Sequence, residues 1–200
     1  MKYYAHSLKG KLHIGLNGTE PMVWRRVQVP ESYTCYDLHV AIQDAMGRQD
    51  YHLFEFRKAH SRRSPDYRVV SVFDEPENMP SDIKCEYATE VPIKKFLAKE
   101  NDRVLYIYDF GDGWEHVVLL EKILPRDENV IYPACIDGAL AGPPEDCGSI
   151  PGYYDCIKAV RNRDNKELLK WLGDWQPDIF DAQAVKFERP WLRMKKALGR

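Results

Sequence analysis

The sequence predicts an α+β fold, with a mixed, largely antiparallel sheet, helices packed on it and a helical C-terminal third. Three observations carry that prediction. Period-two alternation of apolar and polar residues dominates the first 124 residues. A tight polar knot, Asp109-Phe110-Gly111-Asp112-Gly113, separates two runs rich in strand formers. Helical spacing gathers after residue 152, and before that point it is confined to two segments. Two hundred residues suffice to bury a core without disulfides. The expected organisation is one domain over residues 1–200, sheet-rich over 1–124, with a loop and helices over 125–200.

In chain order, Leu12, Ile14 and Leu16 alternate with Lys11, His13 and Gly15, and Asn17-Gly18 marks a turn. Val23, Arg25, Val27 and Val29 alternate with Trp24, Arg26 and Gln28 until Pro30, so these two strands form the first hairpin. Arg25 and Arg26 fall on opposite faces, so one of them has to run along the sheet or pair with a carboxylate. Thr34 or Ser32 caps a helix over Cys35–Met46, closed by Gly47. Short strands are expected at Leu53–Arg57 and Tyr67–Phe73, with a basic loop, His60–Pro65, between them. Residues 74–92 hold six acids and read as a solvated loop; Ile93, Phe96 and Leu97 suggest one short helix.

The central hairpin follows. Residues 104–109 and 115–123 are the strands, and Asp-Gly in the knot is a strong turn signal. Apolar residues on both faces of both runs predict a central place in a sheet covered on each side. Tyr132–Gly152 holds four prolines and four glycines and reads as a long loop of the kind that often carries function. Helices are expected over Tyr153–Arg163, Lys166–Leu172 and Ala182–Leu198, the last restarting at Pro190.

Composition narrows the function. A formal charge of −2 gives no global pull toward nucleic acid or anionic membranes. The distribution is uneven, however. Residues 101–155 carry eleven acids against three bases, a net of −8, whereas residues 186–200 carry six bases against one acid, a net of +5. No stretch reads as a signal peptide or a membrane span. Five cysteines, an odd number, point to reduced thiols and a cytoplasmic location, with no membrane partner.

The knot and the loop carry the candidate chemistry. Asp109, Asp112, Glu115 and His116 lie within eight residues, and a hairpin brings residues either side of its turn together. Such a set either holds a divalent metal or supplies an acid and a base; alternatively, the aspartates bond to turn amides and Glu115 and His116 are cross-strand partners. With Trp114 and the loop residues Pro143, Pro144, Glu145 and Asp146 they form the expected binding surface. Asp109, Asp112, His116, Cys135 and Cys147 are the weak metal candidates, because Cys135 and Cys147 lack the close spacing of a zinc knuckle. His52, at a strand start, reads as a satisfied edge or core residue. Arg25, Arg57, Lys58, Arg62, Arg63 and Arg68 are candidate nucleic-acid contacts if they share one face. Asp-Phe-Gly lacks every companion motif of a protein kinase and is a chance match.

Taken together, W-R-R-V at 24–27, H-L-F-E-F at 52–56, Y-D-F-G-D-G-W-E-H at 108–116, P-A-C-I-D-G at 133–138 and P-P-E-D-C-G at 143–148 resemble the plasmid pRiA4b ORF-3-like family. The resemblance implies an α+β fold and no established activity; some members are described as passengers of insertion elements. Many members carry a cysteine just before the Pro-Pro, where this chain has Gly142, which counts against a cysteine-rich zinc site. The function expected is a non-catalytic binding module for a protein or nucleic-acid partner. The alternative is a metal-dependent hydrolase using Asp109, Asp112, His116 and Glu145 or Asp146, with a divalent metal as its cofactor.

Overall fold

The computed structural model describes residues 8–58, 67–71, 73–74 and 83–199. The strands β1 (Leu8–Leu16), β2 (Trp24–Pro30), β3 (Phe54–Lys58), β4 (Tyr67–Val70), β5 (Lys84–Tyr87), β6 (Arg103–Tyr108), β7 (Trp114–Pro125) and β8 (Ala134–Ala139) form one sheet. Its spatial order is β5-β4-β3-β6-β7-β1-β2-β8. The β4–β5 pair is parallel and the other pairs are antiparallel, so the sheet is mixed and largely antiparallel. Helices α1 (Cys35–Met46), α2 (Ser149–Asn162), α3 (Lys166–Leu172) and α4 (Pro190–Ala197) complete an α+β architecture.

Helix α1 forms where its capping signals fall. The Thr34 hydroxyl accepts from the Asp37 amide while the Asp37 carboxylate accepts from the Thr34 amide, and Gly47 closes the helix in the left-handed region at φ 75°. The inner strand positions Leu12, Ile14, Leu16, Val27, Phe54, Phe56, Tyr106, Val118 and Leu120 pack with Leu38, Ile42 and Ala45 of α1 into one core. Tyr153 of α2 belongs to the same core, and Met194 of α4 packs against it. Arg193 clamps α4 to α1 through Asp44 at 2.6 Å.

Arg25 and Arg26 part as the alternation requires. Arg25 is buried beneath Phe180, its guanidinium 3.6 Å from the ring, and donates to the carbonyls of Ala45, Trp24 and Ala139. Arg26, on the other face, bridges Glu121 and Asp137.

Four expectations need revision. Part of the long loop is β8, paired with β2 through Arg26↔Asp137 and its neighbours. Part of the expected acidic loop is β5, held by β4. The segment at residue 93 is a 3₁₀ turn, Ile93–Lys95. The outer face of the central hairpin is half-covered rather than sealed: Ile107 is buried, but Leu105, Val117 and Leu119 retain partial exposure. Strand β8 and the loops around the short helices also leave the C-terminal third only roughly helical. No helix among the described residues is long and apolar enough to cross a membrane.

The chain after β8 presses on the end of α1, and Gly142 is the point of closest approach. A Cβ there would lie 2.1 Å from the Met46 carbonyl oxygen. Gly142→Ala is therefore expected to lower the unfolding free energy by about 1–3 kcal/mol through overpacking. Equilibrium urea denaturation measures it, and an unchanged midpoint would refute the close approach.

Candidate functional site

The turn between β6 and β7 places the first site residue. Asp109 sits at φ 58°, a left-handed conformation that aspartate tolerates better than most residues. Its Oδ1 accepts from the amides of Gly111 and Asp112, which fixes the turn. Its Oδ2 remains directed at His52 Nε2, 3.7 Å away. The expected bonding of Asp109 to turn amides is therefore present, and it leaves the second carboxylate oxygen free to face the site.

The loop after β8 supplies the rest. Glu145 is buried, and its carboxylate accepts from the Gln49 amide at 2.7 Å and from the Tyr108 hydroxyl at 3.0 Å. The Tyr108 hydroxyl in turn accepts from the Tyr51 amide at 2.9 Å. Asp146, exposed and also left-handed at φ 55°, holds His52 Nε2 at 2.7 Å through Oδ1. Asp112 does not reach this group; its carboxylate accepts from the Gly148 amide at 3.1 Å and ties the turn to the loop.

Among the described residues, one group has the composition and spacing to hold a metal ion: His52, Asp109 and Asp146 each offer a ligand atom, all within 4.8 Å of one another. Glu145 Oε1 stands behind them, 4.0 Å from His52 Nε2. Burial tends to lower the His52 pKa, but the hydrogen bond to Asp146 and the charges of Asp109, Asp146 and Glu145 outweigh it and raise it above the ordinary histidine value. A histidine with carboxylates around it suits Mn²⁺, Zn²⁺ or a similar divalent ion.

The other expected site residues lie elsewhere. His116 faces inward in register with Val118 and Leu120 and is fully buried, its Nδ1 3.2 Å from the Trp114 carbonyl. Desolvation, reinforced by the Arg48 charge, drops its pKa to about 3, so it is neutral and enclosed rather than a partner of Asp109. Trp114 is not on the surface either. It is buried below the site, with the Arg48 guanidinium 4.4 Å from its ring centroid. Glu115 is exposed opposite Ile107, as a cross-strand residue. Pro143 is buried and Pro144 half-buried, with the Pro144 carbonyl accepting from Arg48 at 3.3 Å. Cys135 points at the Asp137 carbonyl beside Arg25, and Cys147 lies beside Cys156, where burial pushes its thiol up to about 12. The two thiols therefore do not join the histidine–aspartate group.

The basic candidates do not share a face. Arg25 is buried on the core side of β2, whereas Arg57 and Arg68 bind the buried carboxylate of Glu55 on the outer side of β3 and β4. Three strands, β6, β7 and β1, separate the two groups. Lys58 is exposed, and Arg62 and Arg63 lie outside the described residues.

His52, Arg48 and Asp50 belong around the site without having been assigned to it from the sequence. His52 stood in the motif H-L-F-E-F, two residues before a strand core, and that pattern was its one signal. Arg48 and Asp50 follow a helix cap with no periodic mark at all.

Because its folded pKa lies below the unfolded value of 6.5, His116 contributes stability that is complete above pH 6.5 and lost as pH falls toward 3. His116→Leu should accordingly flatten the pH dependence of unfolding in that window by about 1.4 kcal/mol per pH unit. Denaturant titrations of both proteins at pH 7 and pH 4.5 measure the difference, and parallel profiles would show that His116 titrates normally.

Comparison with known proteins places the chain and its fold in a lineage. The family model described as plasmid pRiA4b ORF-3-like protein matches residues 9–184. A relative in Sinorhizobium fredii (strain NBRC 101917 / NGR234), "Uncharacterized protein y4hQ", is 31% identical over 183 residues, covering 90% of this chain and 87% of its own length. The crystal structure of the protein of unknown function MM3350 from Methanosarcina mazei Go1 superposes with a TM-score of 0.79 at 36% identity, covering 92% of this chain and 99% of that one.

Proposed function

The chain belongs to the plasmid pRiA4b ORF-3-like family, and we propose that it is a cytoplasmic binding module that holds a divalent cation at His52, Asp109 and Asp146 and engages its partner there. The observation that carries the reading is the convergence of those three ligand atoms within 4.8 Å of one another. Support also comes from how the carboxylates are held. Asp109 and Asp146 both occupy left-handed backbone, and such conformations persist where surrounding structure imposes them, often at ligand sites. Phe110, at the hairpin tip, is 47% exposed and offers an apolar contact beside the charged group. The family name associates the module with plasmids. The burial of Arg25 and the engagement of Arg57 and Arg68 by Glu55 make a nucleic-acid partner the weaker choice.

A metal-dependent hydrolase is the second reading, and one observation favours it: Asp109 and Glu145, far apart in sequence, both reach the same imidazole nitrogen. In that case the cation would activate water and Glu145, anchored by Tyr108, would be the base.

Mn²⁺ titration followed by electron paramagnetic resonance tests the site. One Mn²⁺ per chain is expected, weakened roughly tenfold or more in Asp109→Asn and Asp146→Asn, which keep the turn bonds while losing charge. A wild-type protein that binds no Mn²⁺, Mg²⁺ or Zn²⁺ would end the cation reading. Turnover of para-nitrophenyl phosphate by the Mn²⁺-loaded protein, abolished by Glu145→Gln, would favour the hydrolase over the binding module.

A further inference from the structure

A cleft of about 400 Å³ opens beside the cation group, sharing His52 as a common wall. Pockets of this size take small metabolites. Its interior wall is unusually organised for a surface depression. The fully buried His39 stacks on Phe54 at 3.6 Å and bonds both ways, Nδ1 to the Tyr106 hydroxyl at 2.8 Å and Nε2 to Asp50 Oδ1 at 2.8 Å. Gln43 donates to the same Tyr106 hydroxyl, so the hydroxyl hydrogen goes to His39 Nδ1 and the His39 Nε2 hydrogen goes to Asp50. This chain orients the Asp50 carboxylate, which sits in left-handed backbone at φ 61°. Asp50 Oδ2 forms an ion pair with Arg193 Nη1 at 3.6 Å, and Asp50 itself lines the cleft, where its carboxylate can take a further donor.

The rim is aromatic. Tyr51 is 70% exposed and Phe73 is 46% exposed, both lining the cleft. Large aromatic side chains left in water beside a cavity are suited to stacking on a planar ring such as a nucleobase. An exocyclic amine on such a ring would meet the Asp50 acceptor. The far side of His52 is acidic, so an anionic group could reach it only through a bound cation.

The geometry points to a mononucleotide as the ligand of this cleft, its base held between Tyr51 and Phe73 against Asp50 and its phosphate reaching the cation at His52, Asp109 and Asp146. This rests on the cation site proposed above and adds the chemical class that the site accepts. Stacking and the amine contact account for the base, and the cation accounts for the phosphate. A binder built this way discriminates against either half alone.

Calorimetric titration of the full chain with AMP, adenosine and ribose 5-phosphate, each with and without MnCl₂, tests it. AMP with Mn²⁺ is expected to bind at least tenfold more tightly than adenosine or ribose 5-phosphate, and at least tenfold more tightly than AMP without Mn²⁺. Tyr51→Ala and Phe73→Ala, both at exposed positions, should each weaken AMP at least fivefold while leaving Mn²⁺ binding intact in the paramagnetic resonance assay. AMP no tighter than ribose 5-phosphate, or undiminished in both aromatic variants, overturns the cleft assignment even where Mn²⁺ binds. AMP binding that depends on the aromatic residues but not on Mn²⁺ overturns the cation link and leaves the base pocket alone standing.

Discussion

One buried carboxylate joins the parts of this site. Glu145 takes the amide of Gln49 beyond α1 and the hydroxyl of Tyr108 at the end of β6, and it faces Arg48 at 4.0 Å. Three segments that are remote in sequence meet at its two oxygens. A carboxyl group left without partners at that depth would be costly, and these donors offset the cost. Once Glu145 is seated, its neighbour Asp146 is carried to His52, and the Asp112–Gly148 bond aligns the hairpin turn with the same loop. The exposed histidine–aspartate group is thus the visible edge of a buried arrangement.

The uneven charge of the chain has a related physical account. The acidic centre serves two purposes that the totals do not distinguish. Some of it balances buried or outer-face cations, as Glu121 and Asp137 do for Arg26. Another part, at Asp109, Glu145 and Asp146, crowds one imidazole and raises its proton affinity. Two of the basic residues near the C-terminus are absorbed at home: Arg193 serves Asp44 and Glu188, and Lys196 also pairs with Glu188.

Much of the fold was legible because it is written in local periodicity. A capping hydroxyl at Thr34 or Ser32 and Gly47 marked the approximate ends of α1, and the Asp-Gly knot located the hairpin. The strands β5 and β8 were not legible, since β5 is short and half charged and β8 is broken by Asp137 and Gly138 and takes its pairing from β2, far off in sequence. Within the site, Asp109, Glu145 and Asp146 stood out as acids in a turn and a glycine-rich loop. The choice of imidazole did not. His116 is adjacent in sequence, yet the period of two assigns it to the same face as Val118 and Leu120, and that alternation was available to exclude it. His52 reaches Asp109 because β3 lies beside β6, a sheet order that no short stretch encodes.

The strand order has a consequence in time. Strands β1 and β2 are made first, but β1 takes its second neighbour from β7, so Leu8 finds its partner at Pro125. A pairing so distant carries a large loop-closure cost and delays closure of the sheet. As the chain emerges from the ribosome, the early hairpin must remain with both outer edges unpaired until β7, and then β8, have been made. The loop bearing Glu145 comes later still. Maturation of the site therefore waits on residues made well after the first strands, and a chain truncated before them would expose an unpaired β1 before it could offer a ligand anything to bind.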